Sequence, residues 1–107
     1  MSGSRFVRVG HASDVPEGRA EVFDVEDRKI AVFRVPDGFY AIEDICTHDG
    51  GPLAEGEIED DVVICPRHGA RFSIRTGAAL SFPAVTPVDA YPVRVEGDDL
   101  LVGLPED

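Results

Sequence analysis

The chain has 107 residues, 43% of them hydrophobic, which is enough for one core and too short for two, so residues 1–107 read as a single domain. Asp and Glu number 21 against 10 Lys and Arg, and the formal net charge of -11 argues against a nucleic-acid or anionic-membrane partner and requires any charge-steered partner to be basic. No apolar run approaches the roughly 18 residues of a membrane span, and Met1-Ser2-Gly3-Ser4-Arg5 leads into a strand-like segment rather than the apolar stretch of a signal peptide, so a cytoplasmic location is expected.

In chain order, Phe6-Val7-Arg8-Val9 alternates apolar and polar and predicts a first strand. Ser13-Asp14-Val15-Pro16-Glu17-Gly18 brings a capping residue, a proline and a closing glycine, which predicts one turn of helix. Ala20-Glu21-Val22-Phe23-Asp24-Val25, Lys29-Ile30-Ala31-Val32-Phe33-Arg34-Val35 and Phe39-Tyr40-Ala41-Ile42 suit further strands. Glu26-Asp27-Arg28 and Pro36-Asp37-Gly38 supply the turns between them, which predicts short antiparallel hairpins.

From about Asp44 to Pro87 the character changes. The strand candidates Asp61-Val62-Val63-Ile64 and Arg71-Phe72-Ser73-Ile74 are short, Thr76-Gly77 turns the chain, and the intervening stretches are rich in Gly and Pro, as in a loop-built subdomain inserted at 44–87. Tyr91-Pro92-Val93-Arg94-Val95-Glu96 and Leu100-Leu101-Val102 flank a turn at Glu96-Gly97-Asp98, and the two ends of the chain are expected to pair in one base sheet. The fold class is therefore all-β, built from antiparallel sheets.

Both cysteines have a histidine close by, in Cys46-Thr47-His48 and, after sixteen intervening residues, Cys65-Pro66-Arg67-His68. With only three histidines in the chain, this double coincidence points to metal ligation rather than to buried apolar cysteines with unrelated surface histidines. A tetrahedral zinc site is a second reading of two thiolates and two imidazoles, although structural zinc sites usually place their cysteines two to four residues apart. His11 has no Cys neighbour and reads as a solvent-exposed structural residue.

The pair C-x-H and C-x-x-H resembles the Rieske iron-sulfur family, whose two loops hold a [2Fe-2S] cluster. Gly50-Gly51-Pro52-Leu53, His68-Gly69, Arg71-Phe72-Ser73, Thr76-Gly77 and Pro83-Ala84, with Pro87 beyond, extend the resemblance across the cluster-binding subdomain. It implies a Rieske-type fold and one [2Fe-2S] cluster per chain, with Cys46 and Cys65 on the inner iron and His48 and His68 on the outer one. It also implies that Gly50, Gly51 and Gly69 let backbone amides approach the cluster, and that Pro83-Ala84 covers it.

Two thiolates balance the positive charge of the oxidised core, so such a site is less negative than an all-Cys one and easier to reduce. The family's high-potential branch has an extra Cys in each ligand loop, joined by a disulfide, where this chain has Gly51 and Arg67. That branch also donates a serine and a tyrosine hydroxyl to the cluster sulfurs, where this chain has Ala70 and Phe72. The low-potential class follows, near the lower end of the roughly -150 to +300 mV Rieske range.

A cluster without an open coordination position makes the chain an electron carrier rather than an enzyme. A Rieske oxygenase needs a second iron held by two His and a carboxylate, and only His11 is left over. The resemblance thus implies a monomeric ferredoxin passing electrons from a flavin-dependent ferredoxin reductase to a terminal oxygenase, such as an aromatic-ring dioxygenase. The small Rieske-like component of a nitrite reductase and a ferredoxin for iron-sulfur assembly are alternatives with the same chemistry. A zinc-stabilised acidic interaction module is the alternative of another class. Asp49, Glu55 and Glu57 could form an acidic patch by the first loop, and Arg67 is the local positive charge available for partner recognition.

Overall fold

The computed structural model describes residues 4–44, 53–66, 69–80 and 87–105. Its strands are β1 (Ser4–His11), β2 (Ala20–Val25), β3 (Arg28–Val35), β4 (Gly38–Glu43), β5 (Glu57–Glu59), β6 (Val62–Ile64), β7 (Arg71–Ser73), β8 (Ala90–Tyr91), β9 (Val93–Glu96) and β10 (Asp99–Pro105). They form three antiparallel sheets: a terminal sheet in the order β1-β10-β9, a middle sheet β2-β3-β4-β8 and a small sheet β5-β6-β7. The expected pairing of the chain ends is present, from Ser4 opposite Pro105 to His11 opposite Asp99.

Turn chemistry sets the hairpin registers. Glu26 and Asp27 both take positive φ, 49° and 67°, so the turn between paired Val25 and Arg28 has the type I′ twist that suits a two-residue hairpin. Gly97, at φ 63°, plays the corresponding part between Glu96 and Asp99.

Strand β3 departs from simple alternation, because Ile30, Ala31, Val32 and Phe33 are all fully buried. Ala31, Phe33 and Val35 pack with Leu53, Val63, Cys65 and Phe72 on the side of the small sheet, whereas Ile30 and Val32 pack with Leu100, Val102 and Leu104 on the side of the terminal sheet. The middle sheet is therefore covered on both faces, and a strand in that position needs a continuous apolar run.

Three local expectations change in detail. The helical turn is a 3-10 turn at Ala12–Asp14, capped by the bond from the His11 amide to the Asp14 carboxylate (2.9 Å), and it stops at extended Val15 because Pro16 follows. The predicted strand from Tyr91 to Glu96 divides at Pro92: β8 joins the middle sheet beside β4, and β9 joins the terminal sheet beside β10. Proline has no amide to continue either ladder, so the chain changes sheet there. Strand β5 was not expected, since Glu57-Ile58-Glu59 offers a single apolar residue as its signal.

Candidate metal centre

At one end of the small sheet lie Leu53–Gly56, Cys65 and Ala70, the described flanks of the two cysteine-bearing stretches. Strand β6 runs directly into Cys65, and β7 returns from the same end at Arg71, opposite Ile64. The Cys65 amide donates to the Ala70 carbonyl (2.7 Å) and the Gly69 amide donates to the Cys65 carbonyl (3.0 Å), so Cys65 is tied to both Gly69 and Ala70. Gly69 sits at φ +74°, a backbone conformation a β-carbon would strain. Burial changes steeply along this turn: Cys65 is 1% exposed and Ala70 fully buried, while Pro66 and Gly69 face solvent.

The first stretch is closed differently. Asp44 follows β4, and its Oδ1 accepts the amides of Leu53 (2.9 Å) and Ala54 (2.7 Å), joining the two ends of segment 45–52. Leu53 is fully buried in the apolar cluster that also holds Cys65, so the bases of both loops rest on one core. Gly56 completes the return: its amide donates to the Leu53 carbonyl (2.9 Å), and an added Cβ would stand 2.1 Å from the Ile64 carbonyl oxygen.

At the other end of the small sheet, Arg75 joins the middle sheet to the small one. It pairs with Asp37 from the β3–β4 turn and with Asp61 from the β5–β6 turn (2.9 Å), and donates to the Tyr40 hydroxyl (2.7 Å). The Asp37 carboxyl is held below the usual carboxylate range by its hydrogen bond from Arg75. Glu55 and Glu57 are exposed, Glu57 at the start of β5, and Glu59 pairs with Arg71 at 3.4 Å. His11 is exposed and lies 3.5 Å from Asp98, in the structural role expected of it.

Residues 5–92 match the Rieske [2Fe-2S] domain. The chain belongs to the Rieske [2Fe-2S] family. It is 47% identical over 95 residues to the 3-phenylpropionate/cinnamic acid dioxygenase ferredoxin subunit of Shigella flexneri, covering 88% of this chain and 89% of that one. Among solved structures, the ferredoxin of carbazole 1,9a-dioxygenase from Nocardioides aromaticivorans superposes with a TM-score of 0.85 at 37% identity, over 91% of this chain and 95% of that one. A ferredoxin solved as a complex of reduced oxygenase and oxidized ferredoxin in carbazole 1,9a-dioxygenase gives a TM-score of 0.83 at 37% identity, with 92% of each chain covered.

A [2Fe-2S] cluster, one per chain, is thus the cofactor, and this Rieske ferredoxin is an electron-transfer component rather than a catalytic subunit. The donor chemistry fits: Cys65 is a buried thiol free of any disulfide, placed directly after β6 and walled by Leu53, Ala70 and Phe72. Water is kept from such a sulfur, and the apolar shell around a metal site sets its solvent access and its potential. Of the four expected ligands Cys65 is described; Cys46, His48 and His68 lie outside the described residues, as do Asp49, Gly50, Gly51, Arg67, Pro83 and Ala84. Sequence reasoning missed Asp44, Gly56 and Arg75 as residues that hold this framework, because Asp44 and Arg75 act through partners distant in sequence and the close approach of Gly56 to Ile64 has no local signal. Among the described residues no helix is long and apolar enough to cross a membrane.

Proposed function

We propose that Cys46 and Cys65 hold one iron of the cluster and His48 and His68 the other, and that the chain carries single electrons from a flavin-dependent reductase to the terminal oxygenase of an aromatic-ring dioxygenase system. On this reading residues 1–107 form one domain with its cluster-binding subdomain at about 44–87, acting as a monomer in the cytoplasm. The bound cluster supplies a one-electron couple and no open position for a substrate. The observation that supports the assignment is the contrast in burial between Cys65, 1% exposed, and its exposed neighbours Pro66 and Gly69: a buried thiol suits an inner iron, and exposed residues on either side of Arg67-His68 favour an outer iron within reach of a partner.

Ala70 and Phe72 are fully buried in the apolar cluster with Cys65 and bring no hydroxyl, which supports a potential near the lower end of the Rieske range, roughly -150 mV. Exposed Glu55 and Glu57, within a net charge of -11, favour a basic docking face and an association rate that falls as salt rises.

The test is to purify the protein without added metal, record visible and low-temperature EPR spectra after dithionite reduction, and then couple it to a flavin reductase and a phenylpropionate-type dioxygenase. A red-brown protein with the low average g value of a His-ligated cluster, supporting hydroxylated product in proportion to its concentration, is expected. A Rieske spectrum without any acceleration of the coupled system overturns the oxygenase assignment. An all-Cys type of spectrum overturns the ligand set.

A further inference from the structure

The small sheet has two unlike faces. Ile58, Val63, Phe72 and Ala79 stand opposite one another from β5 to the stretch paired beyond β7, and all four pack into the core that holds Cys65. Strand alternation turns their neighbours to the other face. At the Cys65 end that outer row is Glu57, Ile64, Arg71 and Leu80, the last tied to β7 by the bond from its amide to the Arg71 carbonyl (2.7 Å). Arg71 reaches Glu59, two strands away, at 3.4 Å, so its carbon stem crosses β6. Ile64 is half-buried and Glu57 exposed, while Leu80 is 51% exposed, more than any other large apolar side chain among the described residues.

We propose that this outer row is a docking surface for the electron acceptor, the terminal oxygenase of the proposed function. It fits a partner that offers an apolar pocket to Leu80 and a Lys or Arg to Glu57, roughly 14 Å apart across three strand spacings. The proposal rests on the reading of the chain as electron donor to an oxygenase.

Three arguments support it. Leu80, the Arg71 stem and Ile64 make an apolar strip bordered by carboxylates, which is the composition of a docking site, whereas exposed Val22 and Val95 stand singly on β2 and β9. Glu59 is engaged by Arg71, but Glu57 has no ion-pair partner among the described residues and can meet a cation of the partner. Within a net charge of -11 that cation is drawn toward the face from a distance. The choice between partners follows from charge as well. A one-electron carrier is one unit more negative when it meets its acceptor than when it meets its donor, so an acidic row at the Cys65 end holds a basic acceptor before transfer and loosens it afterwards.

The test compares wild-type, Leu80→Ser, Glu57→Lys and Val95→Ser proteins, each purified with its cluster. Calorimetry gives the affinity of the dithionite-reduced forms for the terminal oxygenase of a phenylpropionate-type dioxygenase. Redox potential, EPR line shape and the rate of reduction by the flavin reductase are measured on the same samples. Leu80→Ser should weaken oxygenase binding about fivefold. Glu57→Lys should weaken it about threefold at low salt, with the difference vanishing at high salt. Val95→Ser should bind as wild type does, and all three variants should keep the wild-type potential and line shape.

Wild-type affinity in Leu80→Ser overturns the docking surface, as does an equal loss in Val95→Ser. A salt response of Glu57→Lys identical to wild type overturns the charge pairing, and because Glu57 is exposed this variant decides the matter should Leu80→Ser lose its fold. A loss confined to the reductase overturns the choice of partner, and an altered potential in Leu80→Ser overturns docking in favour of a role at the cluster. Wild-type protein that neither binds the oxygenase nor supports its turnover removes the proposed function itself, whereas wild-type binding beside an unchanged Leu80→Ser removes the docking surface alone.

Discussion

The two-layered base and the small sheet are both antiparallel, yet they are held together by different means. The base uses long ladders, with eight residues in β1, eight in β3 and seven in β10, and buries β3 on both faces. The small sheet has three strands of three residues each and relies on closed turns, on the Asp44 and Arg75 links and on glycine where backbones touch. Area-dependent burial stabilises the first region, while backbone geometry specifies the second. With the proposed ligand set, which keeps the cluster near the surface for docking, an electron carrier benefits from this division, since such a cluster cannot also be surrounded by a deep core.

The comparison breaks most severely at Phe33, whose fully buried ring lies in the cluster that joins the middle sheet to the small one. Phe33→Ala should cost about 3–5 kcal/mol and abolish both the base transition and the cluster spectrum together. Chemical denaturation followed by far-UV CD and by visible absorbance checks it; two separated transitions would show that the regions are less coupled than their shared core implies.

Gly56→Ala should separate the regions instead. The added methyl would stand 2.1 Å from the Ile64 carbonyl oxygen and 3.1 Å from that of Leu53, so the return from the first loop must move. Overpacking of this kind costs roughly 1–3 kcal/mol, and here it falls on the small sheet. Faster cluster loss with unchanged protection of β3 and β10 amides is expected from chelator release and hydrogen exchange.

How far these roles were legible in the sequence follows the same division. The hairpins at Glu26-Asp27 and Gly97-Asp98 were readable because a two-residue turn is specified by the residues inside it. The C-x-H and C-x-x-H stretches were readable for a related reason: ligand chemistry restricts residue type within a few positions. Strand β5 escaped because Ile58 alone cannot show a period, and its pairing is fixed by Val63 opposite it. Asp44 and Arg75 escaped because their partners stand nine or more residues away, and nothing local distinguishes a clamping carboxylate from the many solvating ones in an acidic chain.

Within the small sheet, Ala70 offers a finer probe, one that leaves the framework in place. Ala70→Ser adds a hydroxyl at the position where high-potential relatives of the family donate to a cluster sulfur, next to the bond from the Cys65 amide. A donor that favours the reduced cluster by a factor of ten raises a one-electron potential by about 59 mV. Redox titration followed by EPR should therefore give a shift of that order upward. A potential equal to wild type would place the Ala70 side chain away from the sulfurs.

The smallest effect is expected where the two regions meet in solvent, at Asp37 and Arg75. The hydrogen bond from Arg75 lowers the Asp37 carboxyl below its unfolded value, so the contribution is complete above the unfolded carboxylate range and is lost as the pH falls through the folded value. The pair is exposed, and Arg75 keeps Asp61 and the Tyr40 ring when Asp37 is replaced, so the loss in Asp37→Asn should be slight at neutral pH. The difference between wild type and Asp37→Asn in urea midpoint should shrink as the pH is lowered from neutral to below the usual carboxylate range, as Asp37 takes up its proton in the wild-type protein. A difference that stays constant across that range would show that the link acts through the shape of the β3–β4 turn and not through charge, which would make the junction between the two regions a matter of backbone geometry at both ends of the small sheet.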